Sequence, residues 1–443
     1  MKYRIWTFIT AIALLAALAV TGRLAAQGNQ NSKQALMQTF TVLHTFTGSP
    51  DDGAGPYSNM LLDVNGTLYG TTIFGGLYGF GTVFMLDRRG KETVLYSFTG
   101  GADGALANSN LVRDEEGNLY GATQNGGSAC AASVLYGENG CGVVFKLDSS
   151  GNETVLHTFS GGTDGGFPSG MTMDHEGNIY GITSFGGNMN CSGGFWAGYG
   201  CGVVFKLDRR GNETVLYSFS GVPDGALPFS FLTIDERGNI YGAAQFGGSS
   251  PNPEVCLGNG CGVVFKLDRR GIQTVLYTFT GGADGFLPNG PLLLDFQGNL
   301  YGTSEYGGDL TCNSGSGCGV VFKLDRRGIQ TVLHSFTGGA DGAIPEVGMT
   351  WDLEGNLLGT AAYGGDLTCN AGAGCGVVFK LDRKNRETVL HTFSGLADGA
   401  FPTAIVTVDP QGNLYSDTLA GGDLSCGTPY APSGCGVVFK IKP

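Results

Sequence analysis

Apolar and polar positions alternate in short runs along residues 40–443, and the runs recur in a fixed order. Near Asn289 four follow one another: PLLLD (291–295), NLYGTS (299–304), GVVFKLD (319–325) and QTVLHSF (330–336). Val, Ile, Leu, Phe, Tyr and Thr dominate them, as a pleated, half-buried strand prefers. The phrase T-V-L-[HY]-[ST]-F marks the fourth run in seven copies, starting at Thr41, Thr93, Thr154, Thr214, Thr274, Thr331 and Thr388. The steps between copies are 52, 61, 60, 60, 57 and 57 residues. GCGVVFK, the core of the third run, is written at 140, 200, 260, 317, 374 and 434. A period of this length with strand content predicts propeller blades rather than helical solenoids.

The joints have a physical rationale. Runs one and two meet at D-x-x-G: Asp114 to Gly117, Asp174 to Gly177, Asp235 to Gly238, Asp295 to Gly298. Runs three and four use the same device, as in Asp208 to Gly211 and Asp325 to Gly328. Asp caps such a turn through its side chain, and Gly takes the left-handed residue. In one copy the glycine is replaced by Asn385, the residue that best tolerates positive φ after Gly. A lone fourth strand, residues 40–46, precedes the first complete unit, while the last unit holds only three, near 403–409, 413–418 and 435–441. The expected fold is all-β: a seven-bladed β-propeller of four-stranded antiparallel blades over residues 40–443. The N-terminal strand is expected to complete the last blade, a 3+1 closure that hides sheet edges.

The units resemble the GloVer tandem repeat of secreted bacterial choice-of-anchor proteins. The resemblance is carried by GCGVVFKLDRRGNETVLYSF (200–219), GGADGA (100–105), D-x-x-GNLYG and FGG, over residues 40–443. It implies an exported, propeller-like repeat protein and no defined activity. Members differ in their C-terminal surface anchors; here the sequence reads VVFKIKP at its end, and no anchor is expected. The doublets Gly75-Gly76, Gly186-Gly187 and Gly364-Gly365 also resemble kelch repeats, without the usual kelch Trp.

Composition agrees with many short strands and Gly-rich turns. Gly numbers 79 of 443 residues and only 14% are charged, which argues against a helical chain; the apolar runs argue against disorder. Residues 1–26 read as a signal peptide: Lys2 and Arg4, an apolar run over 5–20, then small residues before a break after Ala26. An uncleaved anchor is the alternative, though the run is short for a span. Residues 27–39 read as a flexible linker. Cleavage removes three cations, Lys2, Arg4 and Arg23, and takes the formal charge from −13 to −16. So acidic a protein should not seek nucleic acid or anionic lipid. The twelve cysteines pair locally as Cys130/Cys141, Cys191/Cys201, Cys256/Cys261, Cys312/Cys318, Cys369/Cys375 and Cys426/Cys435. An even count at recurring positions in an exported chain predicts disulfides; no His accompanies them as a zinc site would want. A secreted or periplasmic monomer with no membrane span after signal cleavage is expected.

The meander places the D-x-x-G turns on one face and the long loops and blade links on the other. Four of the turns carry Arg pairs: Arg88-Arg89, Arg209-Arg210, Arg269-Arg270 and Arg326-Arg327, read as solvated charge. The cysteine loops lie on the opposite face, where the repeat departs most from itself. The cysteine pairs are expected there, each just before the third strand, holding Gly-rich loops in shape. Phe195, Trp196, Tyr199, Tyr136 and Tyr430 are aromatics without counterparts there, suited to stacking on sugar rings or anchoring a protein partner; the alternative is packing between loops. Asp52, Asp103, Asp164, Asp224, Asp284, Asp341 and Asp398 align in the links. One Asp per link suffices for turn capping and falls short of the six to eight oxygens of a Ca²⁺ site. Asp309, Asp366 and Asp423 are the calcium candidates; no other cofactor is implied.

Catalytic residues should break a repeat. His44, His157, His334 and His391 share one slot with Tyr96, Tyr217 and Tyr277, and His175 lies in a turn; no nucleophile, zinc or phosphate motif is present. The repeat-breaking carboxylates are Glu305, Glu346, Glu254 and Glu138, with Glu305 and Glu346 the catalytic candidates. The leading expectation is a binding or surface-interaction propeller whose long-loop face recognises polysaccharide or a cell-envelope protein. A glycosidase or lyase using those carboxylates is the alternative, and a purely structural surface protein a third.

Overall fold

The computed structural model describes residues 38–128, 130, 140–191, 198–249, 256, 258–427 and 433–442. They form seven separate antiparallel sheets arranged in a ring. Blade 3 shows the plan: strands Gly166–Met173, Ile179–Phe185, Val203–Leu207 and Glu213–Ser218 run from the axis outwards. In the seventh sheet the outermost strand is Thr39–Thr45, paired with Val437–Lys442 from Thr39↔Lys442 to Thr45↔Val437. The D-x-x-G motif works as its chemistry predicts. Asp114 Oδ1 accepts the Asn118 N–H at 2.8 Å, while its other oxygen accepts from the Asn118 amide and the Tyr120 hydroxyl. Asn385 takes φ +60° in its turn.

The innermost strand departs from the sequence pattern. In blade 5 it spans Phe286–Leu294, starting well before residue 291. In blades 1 and 4 it is broken, into Gly53–Pro56 with Leu61–Leu62 and Ala226–Pro228 with Thr233–Ile234. The cause is a backbone kink repeated around the ring. Leu106, Phe167, Leu227, Leu287, Ile344 and Phe401 all adopt φ between +50° and +58°. That region costs an L-residue roughly 1–2 kcal/mol. Each kinked residue donates its N–H across the seam to the preceding blade. Phe167 reaches the Cys141 carbonyl at 2.8 Å, Ile344 that of Cys318 at 2.9 Å and Phe401 that of Cys375 at 3.0 Å.

Seven equivalent aromatic contacts seal the seams. The Phe ending each outer strand meets, edge to face, the Phe of the next blade's third strand: Phe98–Phe145, Phe159–Phe205, Phe219–Phe265, Phe279–Phe322, Phe336–Phe379, Phe393–Phe439, and across the chain ends Phe46–Phe84. Ring centroids are 5.1–5.3 Å apart, the geometry that aromatic quadrupoles prefer. The glycine of L-Y-G follows from this packing: a Cβ on Gly121 would stand 2.3 Å from the Phe145 ring.

All six disulfides form with the expected pairing: Cys130–Cys141, Cys191–Cys201, Cys256–Cys261, Cys312–Cys318, Cys369–Cys375 and Cys426–Cys435. The second cysteine of each pair lies beneath its loop. Cys141, Cys201, Cys261 and Cys435 are wholly buried, and Cys318 and Cys375 nearly so. The reason is that the second cysteine of each pair belongs to a seam rather than to a loop tip. The Cys201 carbonyl accepts the Leu227 N–H of the next blade at 3.2 Å, Cys261 that of Leu287 at 3.1 Å, and Cys435 that of Gly55 at 2.9 Å. Their side chains join the apolar clusters there, Cys201 with Phe219, Cys261 with Phe279 and Cys435 with Phe46. The following blade link covers the bond, so that a Cβ on Gly395 would meet both sulfurs of Cys369–Cys375. The disulfides thus brace the loop face from beneath. Blade 1 has no cysteines, and Phe80 takes the place of the second one: its carbonyl accepts the Leu106 N–H at 2.9 Å and its ring covers Gly100. In a closed loop this short a disulfide stabilises by roughly 2–3 kcal/mol in the chain-entropy model.

A second seam contact titrates. Gln273 and Gln330, opening the outer strands of blades 4 and 5, donate their side-chain amides to the Asp224 and Asp284 carbonyls at 2.9 and 2.8 Å. Glu92, Glu153, Glu213 and Glu387 occupy the same position, and each leaves Oε1 buried without a partner. A carboxyl can replace the amide donor only when protonated. Burial, reinforced by the Asp52 and Asp103 carboxylates, raises Glu92 and Glu153 to about 7. An acid raised in the folded state contributes fully below its unfolded value; that contribution fades as pH climbs from about 4.3 through 7. Glu92→Gln with Glu153→Gln should therefore melt higher than the parent at pH 8 and level with it at pH 4. The gain is on the order of 0.5–1 kcal/mol per site once solvent screening is allowed for. Thermal melts at the two pH values check this; matched melting points at pH 8 would refute the protonated contact.

Candidate functional site

The kinked innermost strands place one side chain each against the ring axis. Following Pro56, Ala107, Pro168, Pro228, Pro288, Pro345 and Pro402, these are Tyr57, Asn108, Ser169, Phe229, Asn289, Glu346 and Thr403. All seven line the narrow axial space. Above it, towards the long loops, opens a cavity of about 820 Å³ walled by Tyr57, Asn108, Gln124, Phe229, Glu346 and Tyr363. Its rim is the Cys369–Cys375 loop with Leu396 and Leu424, both at least half exposed.

The structure brings Glu305 and Glu346 together from adjacent blades. Glu305 Oε1 accepts from the Asn289 amide at 2.8 Å and from the Gln245 amide at 3.2 Å. Both carboxyls keep a strip of accessible surface, yet the protein around them removes most of their solvation. Burial pushes Glu305 to about 7; burial and then the Glu305 charge push Glu346 to about 8. Tyr57 is raised as well, first by burial and then by the two carboxylates. Both carboxyls thus hold their protons to higher pH than an exposed glutamate, and in that form each can donate a hydrogen bond.

The other expected site residues divide. Phe195, Trp196, Tyr136 and Tyr430, with Glu138 and Glu254, lie outside the described residues. Tyr199 is half-buried and packs on the blade 2–3 core around Cys141 and Val203. Cys201, Cys261 and Cys435 are buried in the seams and do not line the cavity, whereas Cys369 and Cys375 do. Asp309, Asp366 and Asp423 each cap their own loop, Asp309 accepting from the Thr311 N–H at 2.9 Å and its hydroxyl at 2.7 Å. Among the described residues no three metal-ligating side chains converge. The link aspartates bind locally: Asp284 accepts from the Tyr277 hydroxyl at 2.9 Å and the Thr280 N–H at 2.8 Å, and His44 meets Asp52 at 3.1 Å. The shared His/Tyr slot thus serves link capping. The axial ring escaped the sequence reading except at Glu346. Its signal was present, a variable residue after proline or alanine in an otherwise repeated link.

Seven four-stranded blades in a ring define a seven-bladed β-propeller, with a cavity on its disulfide-braced face and with loops and axis that vary on a constant scaffold. Within that class the chain belongs to the Gloeobacter/Verrucomicrobia repeat family, whose repeat matches residues 32–196, 131–312 and 190–430. No curated protein matches it in sequence. Among solved structures it is similar to two versions of the extracellular domain of BT4673 from B. thetaiotaomicron, described as a putative one-component and a putative hybrid two-component system. The TM-scores are 0.51 and 0.50 at 13% and 14% identity, over 91% and 92% of this chain. It spans only 41% and 42% of those domains, so the likeness is one of fold. A gluconolactonase from Xanthomonas campestris is more distant, with a TM-score of 0.39 and 15% identity over 73% of this chain and 86% of that one. The six disulfides indicate an oxidising compartment, extracellular or periplasmic. No helix among the described residues is long and apolar enough to cross a membrane.

Proposed function

We propose that the protein is an exported binding propeller that recognises carbohydrate in the axial cavity of its long-loop face. One observation carries this reading. Nearly every position of the scaffold repeats from blade to blade, whereas the seven residues at the axis are Tyr, Asn, Ser, Phe, Asn, Glu and Thr. A structural plug would repeat like the rest; an asymmetric ring of aromatic and hydrogen-bonding side chains suits one oriented ligand. Tyr57, Phe229 and Tyr363 offer flat faces for sugar rings, and Asn108, Gln124 and Glu346 offer hydroxyl partners.

A second reading, cleavage of the bound glycan, rests on the Glu305–Glu346 pair. A carboxylic acid that titrates near neutral pH is the group a glycosidase uses to protonate a leaving oxygen. The purified protein should be offered a panel of soluble polysaccharides and oligosaccharides, read for retention and for released product. Tyr363→Ala is expected to weaken retention about tenfold or more, the loss of one stacked ring and its hydroxyl. Product lost on Glu346→Gln would favour the enzyme. An absence of retention across the panel would sink both readings and leave a structural component of the cell surface.

A further inference from the structure

The chain segregates its charge. Every described Lys and Arg lies in a D-x-x-G turn or within two residues of one, save Lys440 and Lys442, which hold the equivalent strand position. Between the second and third strands and throughout the blade links the sequence contains no Lys or Arg at all. The face that bears the cavity therefore carries Asp309, Asp366, Asp423 and the seven link aspartates, with only the link histidines as possible cations, and these sit on link aspartates. Among the described residues Glu305 and Glu346 thus meet no cation. The titratable groups that face them are each other and the phenols Tyr57, Tyr306 and Tyr363.

The axial ring also holds polar atoms that no described residue satisfies. Asn108, Ser169 and Thr403 are 8%, 6% and 3% exposed, and Asn108 Oδ1, Ser169 Oγ and Thr403 Oγ1 have no hydrogen-bond partner. All three belong to the axial ring, alongside Glu346. A buried polar atom left unpaired costs roughly 1–3 kcal/mol, so such a set is retained where something else supplies the partner. Asn108 Oδ1 can only accept. Its amide already donates to Gln124 at 3.3 Å. Asn108 thus lacks a donor, the two hydroxyls lack a partner of either kind, and the carboxyls lack a cation, all beside aromatic faces.

We infer that the axial cavity takes an amino sugar with a free ammonium group, seated on Glu346, whose carboxyl neighbour is Glu305, against Tyr57, Tyr363 and Phe229. This rests on the carbohydrate reading above and narrows it. The ammonium supplies the cation that the two carboxyls lack and packs on aromatic faces, which attract cations. The sugar hydroxyls meet the unpaired Asn108 and Thr403 atoms. The uniformly acidic face draws such a ligand in and repels anionic glycans.

The test compares a β-1,4-linked glucosamine tetramer with its fully N-acetylated counterpart by calorimetry at pH 6, where the amines are charged. The free amine should bind about tenfold or more tighter, the difference one charge-assisted contact makes. Its binding should release protons, seen by repeating the titration in two buffers of different ionisation enthalpy, because the ammonium ionises a carboxyl. Glu346→Gln, isosteric and checked for an unchanged melting curve, should abolish both the preference and the proton release. Equal or tighter binding of the N-acetylated tetramer would overturn the inference and leave the carbohydrate reading intact, as would retention of another neutral glycan with neither tetramer bound. Glucosamine binding that Glu346→Gln leaves unchanged would also overturn it, since the contact would then lie on the acidic surface. Failure of every glycan to bind would instead remove the underlying reading.

Discussion

Asp417→Thr is expected to stabilise the protein by about 1–3 kcal/mol near neutral pH, the usual penalty of a buried polar group without partners. Asp417 lies in the second strand of blade 7, fully buried, and neither carboxyl oxygen has a hydrogen-bond partner. Burial alone raises its pKa well above the usual carboxylate range. The equivalent residues show what the seam accepts. Thr303 donates to the Val347 carbonyl of the next blade at 2.8 Å and Thr360 to the Ala404 carbonyl at 3.2 Å, while Ala122, Ile182 and Ala243 are apolar. An aspartate can imitate Thr only by keeping its proton. The folded state then binds a proton that the unfolded chain gives up near pH 4, so stability falls as pH rises from there towards the raised folded value. Denaturant unfolding at pH 4 and pH 8 should show the threonine variant gaining most at pH 8. A variant less stable than the parent at pH 8 would mean that Asp417 has a favourable partner across the seam.

Phe46→Ala should be among the most damaging single substitutions, costing about 3–5 kcal/mol as buried Phe→Ala changes do. Phe46 is fully buried, stacks edge to face on Phe84 at 5.1 Å, and bonds its N–H to the Gly436 carbonyl at 3.0 Å. It follows the Thr39–Thr45 strand, and the same junction is tied by Thr407 Oγ1 to the Met60 carbonyl at 2.7 Å and by Asn59 to the Ile405 N–H at 2.9 Å. Six other seams have the same geometry without chain ends beside them. Phe219→Ala, at the blade 3–4 seam, is the matched control. If the chain-end junction closes the ring, the two variants should lose comparable stability, read from denaturant midpoints. A Phe46→Ala loss below about 1 kcal/mol beside a large Phe219→Ala loss would show that the first strand is dispensable.

The scaffold was legible because repetition multiplies weak local signals. One D-x-x-G or one L-Y-G is ambiguous, but seven aligned copies turn capping chemistry and strand alternation into blade count, strand order and cysteine pairing. Even a departure such as Asn385 could be read, since its constraint is local backbone conformation. The innermost strands were misplaced for the opposite reason. Their kink at Leu287 and its equivalents is stabilised by a carbonyl of the preceding blade, a partner about 25 residues away that no local pattern announces. That same contact draws Cys201, Cys261 and Cys435 into the seams, so their pairing was readable within one repeat and their burial was not.

The sequence by itself determined the sevenfold scaffold, the disulfides and the face on which variable loops lie, because each depends on contacts within one repeat. Only the tertiary structure decided which variable residues share a site. Glu305 and Glu346 are 41 positions apart, and Tyr57 and Thr403 come from opposite ends of the chain, yet closure of the ring carries them all to the same axis. Their shifted acidity and their missing partners arise from removal of water by neighbouring blades, a property of the assembled ring that no single repeat possesses.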